Sequence, residues 1–277
     1  MTAGDPFSRA PESPKPVDFV KQVRQLLIVR PDRRAVMVAS VLAAVLVIGV
    51  LTWTLPPHGR FAQVILDRLS PHFKYPFTIQ NIEHVLFFLG LGELYVRWHS
   101  ACHEHSFFGK KLLPEDDETV LEGSDLGPLR KQLTGLFDKE RGILPSLIDL
   151  SILQFQSGRS IDQTVSVTNS HLELIQHRID LSYSLIRYIA WVIPTMGFIG
   201  TVIGIGGALA SVPSGGEIKM DSLAHQLAVG FDCTMVALVE SAILVFILHI
   251  VQEKEERAVN FAGTYILRNL INRLYLR

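Results

Sequence analysis

Four apolar runs rise out of a mixed background along the chain. Ala35 to Leu55 is uninterrupted and long enough to cross a bilayer, which takes about 20 apolar residues. Phe77 to Trp98 is weaker, because Glu83, His84 and Glu93 fall inside it. Ile189 to Ser211 and Leu223 to Val251 complete the set, and the last exceeds what a bilayer needs, so it tilts or projects beyond it. Between the second and third runs the pattern changes. Ile161, Val165, Thr168, Leu172, Ile175, Ile179, Ser182, Ile186 and Ile189 recur in steps of three and four, which is a helix seam. It predicts one unbroken helix from Ser160 to Ser211, about 78 Å long at 1.5 Å per residue. Asp162 suits the positive end of that helix. Asp125 to Gln156 reads as a helical hairpin interrupted by Gly142 and Pro145, and Leu112 to Asp125 as an acidic, solvated linker. Met1 to Pro16 is rich in Pro and Ser and is expected to be disordered. We expect no cleavable leader, since the first apolar run starts too late to serve as one.

The pattern predicts an all-α membrane protein with four transmembrane helices, a cytoplasmic helical domain, and long helices continuing from membrane into cytoplasm. The expected segments are an N-terminal segment over 1–34, span one over 35–55, an outer loop over 56–76 and span two over 77–98. The helical domain follows over 99–188, then span three over 189–211, an outer loop over 212–222, span four over 223–251 and a C-terminal helix over 252–277.

Composition agrees with that division. Of 277 residues, 48% are hydrophobic and 19% charged, too apolar for an ordinary soluble domain and too charged for a bare membrane bundle. A net charge of −1 gives no basic field for nucleic acid. Cys102 and Cys233 make no disulfide framework. Orientation follows Lys and Arg near the run ends. Lys21, Arg24, Arg30, Arg33 and Arg34 precede span one, Arg97, Lys110 and Lys111 follow span two, Arg178 and Arg187 precede span three, and Lys254, Arg257 and Arg268 follow span four. The 212–222 loop has Lys219 against Glu217 and Asp221. Both termini are therefore expected inside, with Arg60, Arg68 and Lys74 of the first outer loop outvoted.

The polar residues inside the runs carry the candidate chemistry. Thr201 lies about 18 Å from Ile189 along its helix and Thr234 about 16 Å from Leu223 on the helix running back, which puts both near mid-membrane at matching depth. Repeated around a ring, they would form a belt of hydroxyls able to hydrate or hand on a cation. The alternative is that each hydroxyl bonds its own helix carbonyl one turn back. Gly197, Gly200 and Gly204 put a small-residue stripe on one face for close helix packing. Pro194 frees a backbone carbonyl and kinks the helix. Asp232 and Glu240 are carboxyls in an apolar setting, to be protonated, paired or facing water. They lie about 160° and about 120° around the helix from Thr234, so they face neighbouring helices if Thr234 faces a pore. His84 is the candidate partner of Asp232, and Arg97 of Glu240, forming either a buried polar lock or a proton relay. Neither a nucleotide loop nor G-x-S-x-G nor a paired-carboxylate cleft is present, so no enzyme is expected.

Two spans, a helical domain and two further spans joined by a short loop resemble the MotA/TolQ/ExbB proton-channel family, and the order is MotA-like. Phe198-Ile199-Gly200-Thr201-Val202-Ile203-Gly204 is similar to its G-L-F-G-T-V-x-G-I segment. Ala228-Val229-Gly230-Phe231-Asp232-Cys233-Thr234-Met235-Val236-Ala237-Leu238 is similar to its A-L-x-x-T-x-x-G-L segment. Val229 stands where ExbB-type members have an acidic residue. The resemblance covers roughly Arg178 to Leu267. It implies a homopentamer in the bacterial inner membrane around a dimer of a single-span MotB/TolR/ExbD-like partner. Ion flow, of H+ with Na+ left open, would drive rotation and mechanical work, with Thr201 and Thr234 on the ion path. It implies no cofactor. It also implies no metal, although His99, Cys102 and His103 share a helix face, with His105 close by, at a spacing that would suit one. A non-conducting scaffold recruiting proteins through its cytoplasmic helices and a stand-alone channel are the competing readings.

Overall fold

The computed structural model describes residues 31–68, 73–116, 119–136, 142–212 and 220–275. The expected disorder at Met1 to Pro16, the charges at Lys21, Arg24 and Arg30, and Glu217 and Lys219 of the short loop lie outside the described residues.

Helix α1 (Arg33–Thr54) starts where Asp32 caps it, the side chain accepting the Arg34 N–H at 3.1 Å. It stops before Pro56-Pro57, which cannot continue a helix. Only its Ser40 and Ala44 are buried, while Val38, Leu42, Val45 and Leu46 are bare. A short helix, α2 (Arg60–Leu66), occupies the predicted outer loop. Helix α3 (Ile79–Phe108) is capped by Thr78, whose hydroxyl accepts from Asn81 N. Gly92 of α3 leaves no room for a side chain, because Ser40 of α1 lies against it.

The polar end of the molecule is built from α4 (Gly123–Leu136), α5 (Ile143–Gly158) and α6 (Ile161–Ser182). Pro145 does not interrupt the hairpin as predicted. It sits in the first turn of α5, where the missing N–H would have had no helical partner anyway. Leu126, Leu144, Leu147, Ile148 and Ile152 are buried there against Ile175 and Ile179 of α6 and Phe107 of α3. Ser151 and Thr168 join α5 to α6 through their hydroxyls at 2.9 Å.

The seam continues through α7 (Ser184–Ala210), burying Ile186, Ile189, Ile193, Gly197, Gly200, Gly204 and Ala208 in turn. The predicted single helix is nevertheless interrupted, at Tyr183. The Tyr183 N–H closes a tight turn onto the Asp180 carbonyl at 3.1 Å. Its ring is fully buried and its hydroxyl donates to Glu255 at 2.8 Å. The flanking residues, Ser182 and Ser184, are weak helix formers, and the Ser182 hydroxyl bonds back to Ile179 O.

Helix α8 (Met220–Asn269) runs 50 residues, about 75 Å, well past the predicted end of span four. It packs on α2, α3, α5, α6 and α7. Its end is tied back where Leu121 N donates to Arg273 O at 2.8 Å and Tyr275 N to Leu121 O at 3.1 Å. Among the described residues, three helical runs are long and apolar enough to cross a membrane: Arg33–Thr54, Ile161–Ala210 and Leu223–Arg273. The α3 helix, which carries the second predicted span, is not one of them. Gln80, Asn81, Glu83, His84 and Glu93 lower its apolar character.

Candidate functional site

The site begins with three glycines. A Cβ on Gly197 would lie 2.5 Å from the Ala237 Cβ and 3.1 Å from the Thr234 Cα. One on Gly204 would lie 2.9 Å from both the Gln226 carbonyl oxygen and the Gly230 Cα, and Gly200 is filled in the same way by Cys233. The backbones of α7 and α8 therefore approach as closely as small residues allow.

That approach brings Thr201 and Thr234 together, and their hydroxyls touch. Thr201 Oγ1 donates to Gly230 O at 2.9 Å and Thr234 Oγ1 to Gly197 O at 2.8 Å. Each hydroxyl thus bonds the opposite helix, while its own helix carbonyl stands farther off, at 3.3 Å from Thr201 and 3.4 Å from Thr234. Two hydroxyls and two carbonyls form a cluster of neutral oxygens, half-buried at the edge of the α7–α8 seam. Such a cluster can polarise a proton or coordinate a small cation without a fixed charge.

Pro194 explains a further contact. It has no N–H to offer Ala190 O, and the Ser241 hydroxyl of α8 donates to that carbonyl instead, at 2.9 Å. The kinked turn is closed across the helix pair.

The acidic residues pair differently from the sequence reading. His84 does not reach Asp232; its Nδ1 meets Glu240 Oε1, and its Nε2 lies 2.9 Å from Ile65 O. Arg97 does not meet Glu240; its guanidinium lies 5.9 Å from the centre of the Tyr183 ring. Asp232 is half-buried, and the charge acting on it is Arg60 of α2. A helical wheel gives the angle of each side chain but not the axial offset between helices, and the offset decided both pairings. Two contacts escaped notice. Glu93 takes Arg33 of α1, with the ion pair at 2.8 Å, and Glu83 accepts the Cys233 thiol at 3.2 Å. The available signal for the first was an intramembrane acid set against the arginine that opens span one.

The offset also bears on depth. Thr52 near the C-terminal end of α1 touches Tyr75, Ile79 at the start of α3 lies against Gly200, and Glu83 meets Cys233. The threonine pair is therefore level with the ends of α1 and α3, and α7 continues past it for about 14 Å.

The histidine cluster has other contacts. Lys254 Nζ lies 3.0 Å from Cys102 Sγ and 3.7 Å from the centre of the Trp98 ring, while His103 and His105 stack edge-on against Phe107 and Phe108. Among the described residues, no group of three or more His, Cys, Asp or Glu is placed to hold a metal.

The fold and site define a helical membrane protein whose two glycine-packed helices share a hydroxyl pair. Residues 140–262 match the sequence model of the MotA/TolQ/ExbB proton channel family. That segment takes in α5, α6, α7 and most of α8 with both threonines, and over it the chain is similar to a family of membrane channels. No curated protein and no solved structure matches the chain.

Proposed function

We propose that the protein is the channel-forming stator subunit of a rotary motor. Five copies surround a dimer of a single-span MotB/TolR/ExbD-like partner in the bacterial inner membrane, and ion-motive force drives mechanical work. The four spans, the cytoplasmic helical domain over 99–188 and the inward-facing termini belong to this reading. So does the transported ion, H+ with Na+ left open. The observation that carries it is the Thr201–Thr234 pair. Both hydroxyls lie within the segment that matches the family, on two apolar helices packed by glycine, and they form neutral oxygen sites at one level.

One observation favours a purely structural role for the pair, in a non-conducting scaffold. Each hydroxyl is already occupied by a carbonyl of the other helix. Native mass spectrometry of the purified chain, with and without a single-span MotB/TolR/ExbD-like protein, tests the assembly. Five copies gaining two partners supports the motor reading. A monomer or dimer that ignores the partner overturns it. Proton flux through that complex in liposomes then separates the roles. Thr201→Val and Thr234→Val abolish flux while assembly persists if the hydroxyls line the path, and leave flux intact if they only pack.

A further inference from the structure

Helix α8 carries a second polar interface, facing α3 instead of α7. Glu83 of α3 is fully buried. Its Oε1 accepts the Cys233 thiol, and its Oε2 has no partner. One turn earlier, Gln80 is 1% exposed, and neither its Oε1 nor its Nε2 has a partner. Gln80 and Cys233 line a cavity of about 20 Å³ together with Asp67, Gly200 and Gly204. That is room for one water, which can accept from the amide N–H and donate to the amide oxygen at once.

Charge narrows the state of Glu83. Its neighbour His84 bonds the Glu240 carboxyl through one ring nitrogen and the Ile65 carbonyl through the other. A carbonyl only accepts, so Nε2 carries a proton, and the ring is at most a single positive charge. One imidazolium neutralises one carboxylate, and Glu240 holds it. Among the described residues, the titratable groups acting on Glu83 are the Cys233 thiol and the Glu240 carboxyl itself. Both are acids, so neither can pair with a carboxylate. An ionised carboxylate without a cation is very costly in an apolar interior.

We propose that Glu83 holds a proton inside each subunit, with the Cys233 thiol as its hydrogen-bond donor, at a site separate from the threonine pair. Loading adds one proton to the carboxylate, unloading releases it from the carboxylic acid, and no electrons move. The site is complete within one chain, so it stands or falls independently of pentamer and partner.

Infrared spectroscopy of the purified full chain in lipid at pH 7 tests it through the carbonyl stretch of a protonated carboxylic acid. The expected result is a buried-acid band that is lost in Glu83→Gln and kept in Glu240→Gln. The band should move in frequency in Cys233→Ala, where the thiol donor is gone. No such band in the wild type, or a band at full strength in Glu83→Gln, overturns the proposal. If Glu83→Gln fails to fold, an unmoved band in Cys233→Ala overturns it as well. Loss of the wild-type band when sodium replaces potassium would assign the site to a metal cation, against a proton.

Discussion

Helix α8 makes two polar interfaces that solve the burial problem in opposite ways. Towards α7 the polar groups are neutral and satisfied: two threonine hydroxyls, two carbonyls and the Ser241 bond that completes the turn broken by Pro194. Towards α3 they are ionisable and partly unsatisfied: Glu240 Oε2, Glu83 Oε2 and both ends of the Gln80 amide lack partners. The first arrangement holds two backbones at fixed spacing and is insensitive to proton load. The second changes its internal charge with every proton gained or lost.

The comparison is broken most severely by removing one member of the ionisable pair. His84→Ala leaves Glu240 buried without its cation and should cost about 3–5 kcal/mol, whereas His84→Leu combined with Glu240→Met should recover most of the loss. Melting of the purified protein in detergent reads both. If the single and double changes cost the same, the pair is not coupled.

Next comes overpacking on the neutral side. Gly204→Val drives a Cβ against backbone atoms of Gln226 and Gly230 and should cost about 1–3 kcal/mol or more, while Gly206→Val, with nothing within 4 Å, should melt like the wild type.

Ser241→Ala isolates the proline repair. It should cost about 1–2 kcal/mol by orphaning the Ala190 carbonyl, and less in a Pro194→Ala background, where residue 194 supplies the missing N–H. Equal costs in the two backgrounds would mean that Ser241 does not serve that carbonyl.

The smallest effect on stability belongs to the threonines. Thr201→Val and Thr234→Val should each cost about 0.6 kcal/mol, the usual scale for a hydroxyl bond between membrane helices. Their double variant should fall short of the sum, because the two hydroxyls touch.

What was legible in the sequence is what repeats. The seam from Ile161 to Ile189 and the glycine stripe of α7 are periodic, and the buried face of α7 follows them, while in α6 Thr168, Ile175 and Ile179 are buried and Ile161, Val165, Leu172 and Ser182 half-buried. What was not legible depends on register between separate helices. His84 pairs with Glu240 and not Asp232 because α3 starts level with Cys233, a displacement no hydropathy window contains. The break at Tyr183 was hidden for a different reason. The apolar spacing passes through it undisturbed, and only the bond to Glu255, 72 positions away, marks it.

The length of α8 has a mechanical consequence. From Thr234 to Asn269 it is one uninterrupted helix, a lever arm of about 53 Å. A tilt of about 10° at the hydroxyl pair would sweep its far end through about 9 Å, and that end is fastened to Leu121 through the Arg273 and Tyr275 backbone. An ångström-scale adjustment among membrane oxygens would thus arrive at the other end of the molecule as a displacement the size of a helix diameter.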